Sequence, residues 1–418
     1  DSDEGLLTEA HVNGDPTSSI RCPSTDCRAQ SRRRCWRFGH GQSQRRTPII
    51  QPALTNAPSR RRPAPRAMAA MLEFRTQGYN PYAVKYSPYY DSRIAVATSA
   101  NFGIVGNGRV FVLGLTAQGV QVEKTFDTND ALYDLAWSEI NENQLIVACG
   151  DGSLKLFDLG VNGFPVMNFH EHKRETFSVC WSPITKDTFL SSSWDGTVKI
   201  WSPTRNQSVK TLPIGNCAYS ASFCPSNPAL ISAVSSDSHL RVFDLRTPSS
   251  AKYHLVATIP VHAAGAQPGA APGLVGASPP SEVLTHDWNK YNDTVVATGG
   301  VDRVIRTFDI RNPAGGPLSV MQGHDYAVRR LSWSPHARDV LISASYDMTV
   351  RLWNDGSAQP HGPVTGTRAG RQMGIMNRHT EFVTGVDWCL FGVGGWVASV
   401  GWDERVLLWD ANMLMAQR

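Results

Sequence analysis

Residues 191–202, SSSWDGTVKIWS, read as strand, tight turn, strand. Asp195-Gly196 supplies the turn: glycine accepts positive φ without a Cβ clash, and the aspartate can hydrogen-bond its own backbone. Past the turn, Val198 and Ile200 alternate with Thr197 and Lys199, the period of a half-buried strand. Trp194 stands just before the turn, where a small polar residue would serve. Its ring needs a reason of its own.

The phrase recurs. VACGDGSLKLFD (147–158), AVSSDSHLRVFD (233–244), ATGGVDRVIRTFD (297–309), SASYDMTVRLWN (343–354) and SVGWDERVLLWD (399–410) share its register, and IVGNGRVFVLGL (104–115) is a weaker first copy. The turn positions are Asn107, Asp151, Asp195, Asp237, Asp302, Asp347 and Asp403, spaced by 44, 44, 42, 65, 45 and 56 residues. Ahead of each lies a second short strand ending in an aromatic, as in DLAWS (134–138), SVCWSP (178–183) and RLSWSP (330–335). Four strands per repeat of about 44 residues is the pattern of a β-propeller blade.

Over residues 72–418 the chain therefore resembles the WD40 family. The resemblance implies an all-β, seven-bladed propeller spanning 71–418. The chain runs only eight residues past Asp410, so MLEFRTQ (71–77) is expected to supply the missing outer strand of the last blade. It also implies buried His–Ser–Asp–Trp tetrads, with His172, Ser193, Asp195 and Trp201 in one blade and His324, Ser345, Asp347 and Trp353 in another. In the last blade Gly401 stands at the expected Ser position, so that blade is expected to be less tightly tied. A His beside a Ser and an Asp evokes a hydrolase triad, but catalytic sites do not recur blade by blade. The segments 261–281, rich in Ala, Gly and Pro, and 355–377, Gly-rich and basic, are expected to be flexible surface loops.

Net charge is +4, but residues 1–67 hold 12 Arg, no Lys and 6 acids, leaving 28 basic against 30 acidic residues in the rest. The basic character belongs to that leading segment, which is expected to be disordered. Its five acids within the first 15 residues argue against an organelle transit peptide, and the natural start is expected at Met68 or Met71. Of the eight cysteines, Cys149, Cys180, Cys217, Cys224 and Cys389 are scattered through apolar strands with no C-x-x-C pair, as small core residues of a reducing compartment are. No apolar run reaches the roughly 18 residues needed to span a membrane. There is no H-E-x-x-H, no G-x-S-x-G, no phosphate loop followed by Lys and no metal-ligand cluster, so no enzyme, cofactor or metal is expected.

In WD40 blades two sets of positions build the partner-facing mouth. One is the residue before the turn Asp; the other flanks the start of the innermost strand. Together they place Tyr82, Tyr133, Phe177, Trp194, Tyr219, Leu284, Tyr346 and Trp402 around one mouth, with Arg329, Thr384 and Phe382 at equivalent positions. This accounts for Trp194. Asp130, Glu175, Glu282 and Glu381 are interleaved with the aromatics. An aromatic floor with acidic flanks suits an amphipathic helix carrying Arg or Lys, and suits nucleic acid badly because the acids repel phosphate.

Four phrases narrow the resemblance: YNPYAVKYSPYYDSRIAVATSANFGIVGNG (79–108), FDTNDALYDLAWSE (126–139), GHDYAVRRLSWSP (323–335) and RHTEFVTGVDW (378–388). They resemble the receptors for the type-2 peroxisomal targeting signal, the peroxin-seven family. That resemblance implies capture in the cytosol of cargo bearing an N-terminal helical signal with an Arg near its start. It further implies a co-receptor (the long form of the type-1 signal receptor), delivery to the peroxisomal docking machinery, and no direct membrane insertion. Asp130 and Glu175 are expected to take the signal Arg, with Glu282 beside them; Arg329 and Arg330 are expected to anchor blade contacts or the co-receptor. The alternative is a substrate adaptor of a cullin-type ubiquitin ligase, for which FDLR (243–246) and FDIR (308–311) approach the W-D-x-R box.

Overall fold

The Asp195-Gly196 turn joins Phe189–Ser193 to Thr197–Ser202 as an antiparallel hairpin, with Gly196 at φ 79°. In the computed structural model, which describes residues 71–415 except 105, 249, 251, 263–280, 358–365 and 393, this hairpin is the middle of one of seven sheets, antiparallel but for one short parallel pairing in the fifth. Expectations for residues 1–67 and for most of the 261–281 segment lie outside the described residues.

The seven innermost strands are Asn80–Tyr86, Leu132–Trp137, Thr176–Trp181, Ala218–Phe223, Val283–Trp288, Val328–Trp333 and Val383–Trp388. Each packs against the next and the seventh packs against the first, which makes the fold a seven-bladed β-propeller. We number blades 1–7 in that order. Blade 7 is completed by Met71–Arg75, which pairs antiparallel with Arg405–Asp410 in the register Met71 to Trp409 and Arg75 to Arg405. Glu73 accepts two hydrogen bonds from the Arg405 guanidinium at 2.8 and 2.7 Å across that seam.

The apolar core lies between blades. Ala83, Val110, Leu135 and Trp137 join blades 1 and 2, while Val84, Phe111, Val400 and Leu408 join blades 1 and 7. Each Val, Leu or Phe among them contributes about 1.5–3 kcal/mol on burial. Three aspartates further staple inner strands together. Asp387 of blade 7 accepts from Tyr86 N at 2.9 Å, Asp287 of blade 5 from Trp333 N at 2.8 Å, and Asp134 of blade 2 from Val179 N at 3.3 Å.

The tetrads form with a different serine from the expected one. Trp201 Nε1 donates to Ser191 Oγ at 2.8 Å, Ser191 lies 2.7 Å from His172 Nε2, and His172 Nδ1 lies 2.9 Å from Asp195. The Asp195 carboxylate can only accept, so the imidazole carries its proton on Nδ1 and donates it there, and Nε2 accepts a hydrogen bond from the Ser191 hydroxyl. Ser193 instead donates to Arg174 O and accepts from Asp195 N. Blade 6 repeats this with Ser343, not Ser345, which donates to Tyr326 O. Residues 191 and 193 share a strand face, but Trp201 stands opposite Phe189, so only the nearer serine is in reach.

Blade 7 keeps its tetrad despite Gly401, and lacks only the bond to the preceding segment that Ser193 and Ser345 make in their blades. Trp409 Nε1, Ser399, His379 and Asp403 form a third tetrad at 3.1, 3.0 and 3.0 Å. Gly401 occupies the position equivalent to Ser193 and Ser345, outside the tetrad, where an added Cβ would lie 2.9 Å from Phe382 O. Blade 5 also has a His–Asp pair, His262 to Asp302 at 2.9 Å.

The 355–377 segment is not simply a loop. Arg371–Met376 is the outer strand of blade 6, antiparallel to Val350–Asn354, and Arg368–Ala369 pairs with Ser319–Met321 of blade 5. Its glycines mark close packing: a Cβ on Gly374 would lie 2.6 Å from Leu414, and one on Gly370 would lie 2.3 Å from Met321.

Candidate functional site

Every innermost strand carries a β-bulge near its first residues, and in every blade the unpaired residue falls at the same place. The seven are Tyr82, Tyr133, Phe177, Tyr219, Leu284, Arg329 and Thr384. A bulge re-aims one side chain out of the ladder. Five aromatic or aliphatic side chains and one guanidinium are thereby delivered to one mouth of the channel. Thr384 is the exception in chemistry: fully buried, it donates to Pro81 O at 2.7 Å.

The residues before the turn Asp close on these from the next hairpin. Trp194, Tyr346 and Trp402 each donate a backbone N–H to the segment leading into the inner strand, at Glu175 O, Ala327 O and Phe382 O, over 2.9–3.1 Å. The rings then form an unbroken arc. Phe382 meets Tyr346 at 4.8 Å and Trp402 at 5.4 Å; Trp402 meets Tyr82 at 5.7 Å; Tyr82 meets Tyr133 at 5.3 Å. Tyr133 meets Phe177 at 5.1 Å, and Phe177 stacks on Trp194 at 5.1 Å and meets Tyr219 at 5.6 Å. The arc crosses blades 6, 7, 1, 2, 3 and 4 and stops at Leu284 of blade 5, which is buried.

Phe102 extends the arc, 5.3 Å from Trp402, and sequence reasoning missed it. It is 47% exposed and sits at φ 56°, a left-handed backbone that bulky residues avoid. Tyr82 Oη donates to Phe102 O at 2.6 Å, and Phe102 N donates to Asn80 Oδ1 at 2.9 Å, which holds it there. No composition or spacing signal marks such a conformation.

The acids stand just ahead of inner strands. Asp130 accepts from Ala131 N at 2.7 Å, and Gly150 makes room for its carboxylate, since a Cβ there would lie 2.9 Å from Oδ1. Burial raises the Tyr133 phenol above its usual range, and the carboxylates of Glu175 and Asp130 add to this, so the three groups share one corner of the mouth. Glu175 is half-buried beside Arg174, at 3.5 Å, and the Arg174 guanidinium lies 5.7 Å from the Trp194 ring. The Tyr219 phenol is raised by burial first and by the neighbouring Glu282 carboxylate second. Glu381 is exposed next to Phe382.

Arg329 is a buried cation in this mouth. It is 3% exposed, with its guanidinium 4.6 Å from the Phe177 ring of the facing blade, and burial disfavours its charged form. Arg330 points the other way and pairs with Asp134 at 2.7 Å, so of the two arginines it is the one that ties blades together. Nearer the other end of the inner strands the channel widens into a cavity of about 310 Å³ whose lining includes this pair, Lys85–Asp387 and Lys290–Asp287. Elsewhere, Arg246 and Arg311 fold back onto Asp244 and Asp309 at 2.6 Å each, exposed at the ends of blades 4 and 5. Among the described residues no helix is long and apolar enough to cross a membrane.

Residues 163–202, 315–354 and 370–410 match the family model "WD domain, G-beta repeat". Curated relatives extend the likeness along most of the chain. A protein of Saccharomyces cerevisiae named peroxisomal targeting signal 2 receptor is 39% identical over 81% of this chain and 99% of its own length. An Arabidopsis thaliana protein named peroxisome biogenesis protein 7 is 41% identical over 80% and 96%. A human peroxisomal targeting signal 2 receptor is 36% identical over 75% and 87%.

Proposed function

Because this chain belongs to the WD40-repeat family of peroxisomal targeting signal 2 receptors, we propose that its aromatic arc is the seat of a cargo protein's helical targeting signal. It is a receptor for import into peroxisomes and not an enzyme. The observation that carries the site is the arc itself: eight aromatic rings in contact across six blades, flanked by carboxylates. Interface cores are enriched in Tyr, Trp and Phe, and a helix laid on such a surface buries its apolar stripe.

In this reading Asp130 and Glu175, drawn together around Tyr133, take the signal's basic residue. Carboxylate–guanidinium bonds are charge-assisted and geometrically selective. Glu282 and Glu381 lie farther along the rim and tune the potential. Two or three buried Leu-sized side chains offer about 1.5–3 kcal/mol each, while association and helix ordering consume much of that. Micromolar binding needs about −8 kcal/mol. The receptor therefore holds the signal weakly alone, and a co-receptor (the long form of the type-1 signal receptor) covers the helix and strengthens the complex. The loaded complex passes from cytosol to the peroxisomal docking machinery.

A pull-down with a type-2 signal peptide, beside one whose Arg is changed to Asp, with and without the co-receptor, tests this. Retention of the first peptide only is the expected result. Equal retention of both removes the carboxylates from the reading, and retention of neither removes the receptor reading altogether.

A further inference from the structure

The turns that follow the innermost strands lie at the end of the ring opposite the aromatic arc. They border the wide end of the channel, where Pro88, Glu139, Lys290, Pro335 and Leu390 line the cavity. Direct hydrogen bonds join neighbouring turns into a collar. Tyr90 Oη donates to Glu142 at 2.6 Å between blades 1 and 2, Ser226 Oγ to Asp293 at 2.8 Å between blades 4 and 5, and Tyr291 Oη to Pro335 O at 2.7 Å between blades 5 and 6. His336 Nε2 lies 2.8 Å from Cys389 O between blades 6 and 7. On this collar Tyr90, Ile140, Ile184, Tyr291 and Leu390 stand 37–57% exposed. A single exposed apolar residue needs no explanation, but five on seven equivalent turns do.

Inside the collar the charges do not balance. Asp134, Glu139, Asp287 and Asp387 line the cavity against Lys85, Lys290 and Arg330, and each of these three cations already has an aspartate at 2.7–3.4 Å. Glu139 is left over. It accepts no hydrogen bond among the described residues, and its one ion pair is with Lys186, 3.8 Å away, half exposed and outside the lining. Burial raises its carboxyl above the usual range, with Lys186 opposing. We propose that this far face docks a segment of another protein, which inserts a Lys or Arg side chain beside Glu139 and lays flanking apolar residues on the collar. The cavity, about 310 Å³, equals about ten water volumes and takes one long side chain. Such side chains bury an apolar stem while the charged head reaches a carboxylate. Nucleic acid and anionic lipid fit badly, because the exposed Asp91 and Glu142 stand beside Glu139 and repel phosphate. A second copy of the same face would set like carboxylates against each other. The inference does not depend on what the aromatic arc holds.

The test pans a displayed library of random nine-residue peptides on the full chain, with counter-selection on Glu139→Lys, a variant that leaves the aromatic arc as it is. Peptides kept by the wild type and rejected by the variant are expected to share a Lys or Arg flanked by apolar residues. Their synthetic, fluorescein-labelled forms, read by anisotropy, are expected to bind at least tenfold more weakly to Glu139→Lys and at least threefold more weakly to Leu390→Ser. Both side chains reach the surface, so thermal midpoints close to that of the wild type are expected; if Glu139→Lys folds poorly, Glu139→Gln takes its place in both steps. Recovery of no such peptide overturns the inference. A shared pattern without a basic residue does so too, as does an affinity indifferent to Glu139. Displacement of the bound peptide by butylammonium at the peptide's own concentration would show that a free amine suffices, and would overturn the protein partner.

Discussion

Arg330 of blade 6 spans the channel to Asp134 of blade 2, Nη2 to Oδ1 at 2.7 Å, while the other oxygen of the same carboxylate accepts Val179 N of blade 3. One buried carboxylate thus holds three blades. Asp134→Ala leaves a buried guanidinium unpaired and is expected to cost about 3–5 kcal/mol. The double variant Asp134→Leu/Arg330→Met is expected to recover much of that loss. Urea unfolding of the two variants checks the pair; equal losses would show that the ion pair is not what matters there.

The tetrads predict an order among serines. Ser399→Ala strands the Trp409 indole and His379 Nε2, both buried, and is expected to cost about 1–3 kcal/mol for each group left unpaired. Ser343→Ala is expected to behave alike through Trp353 and His324. Thermal midpoints of these variants, set beside that of Gly401→Ala, would locate the bonding position. A harmless Ser399→Ala would remove blade 7 from the set.

Stability is expected to decline below neutral pH because of His286. Burial pushes its imidazole down to about 4, where it stays neutral against Ser222 and Ser232. The folded value lies below the unfolded one near 6.5, so the contribution is complete above pH 6.5 and is lost as pH falls toward 4. A displacement of that size corresponds to roughly 3 kcal/mol. Urea midpoints from pH 8 to 4 should show this slope, and His286→Asn should flatten it. A second loss, below pH 4, follows from Asp237, brought down to about 2: burial raises it, but hydrogen bonds from Arg241 and Ser235 outweigh that.

At the rim, Asp130→Arg and Glu175→Arg are each expected to weaken signal binding tenfold or more without altering the thermal midpoint, since both are partly exposed. Trp402→Ala breaks the arc at its junction with Tyr82, Phe102 and Phe382, and is expected to cost about 2 kcal/mol or more in binding. Titration calorimetry with the signal peptide measures both. An unchanged affinity for Trp402→Ala would move the site off the arc.

Repeat, turn and alternation were enough to read seven blades, because each is a local pattern copied many times, and the resemblance to WD40 blades then named the positions of the aromatic mouth. What stayed hidden was set by distance or by packing. Ser191 and Ser193 share a face, and only the offset of Trp201 separates them. His262 is the partner of Asp302, but an insertion parts it from the blade it serves, so no fixed spacing revealed it. The glycines of 355–377 suggested looseness, whereas Gly370 and Gly374 are small so that Met321 and Leu414 can approach. Phe102 joins the arc only because two side chains hold its backbone in an unfavourable state. Arg329 was visible as a position, but nothing in the order of residues said that its donors would lack acceptors.

The seam between Met71–Arg75 and Arg405–Asp410 sets a timetable for synthesis. Glu73 and Arg405 are 332 positions apart, and ribosomes add about 5–20 residues per second. The first strand therefore waits roughly 15–65 seconds for its mate to be translated. Blades 1 to 6 can assemble from neighbours as they emerge, but the ring stays an open crescent with two bare blade faces until the final hairpin leaves the exit tunnel. During that interval chaperones, or another nascent copy, meet apolar blade faces and an unpaired strand that the finished molecule never displays.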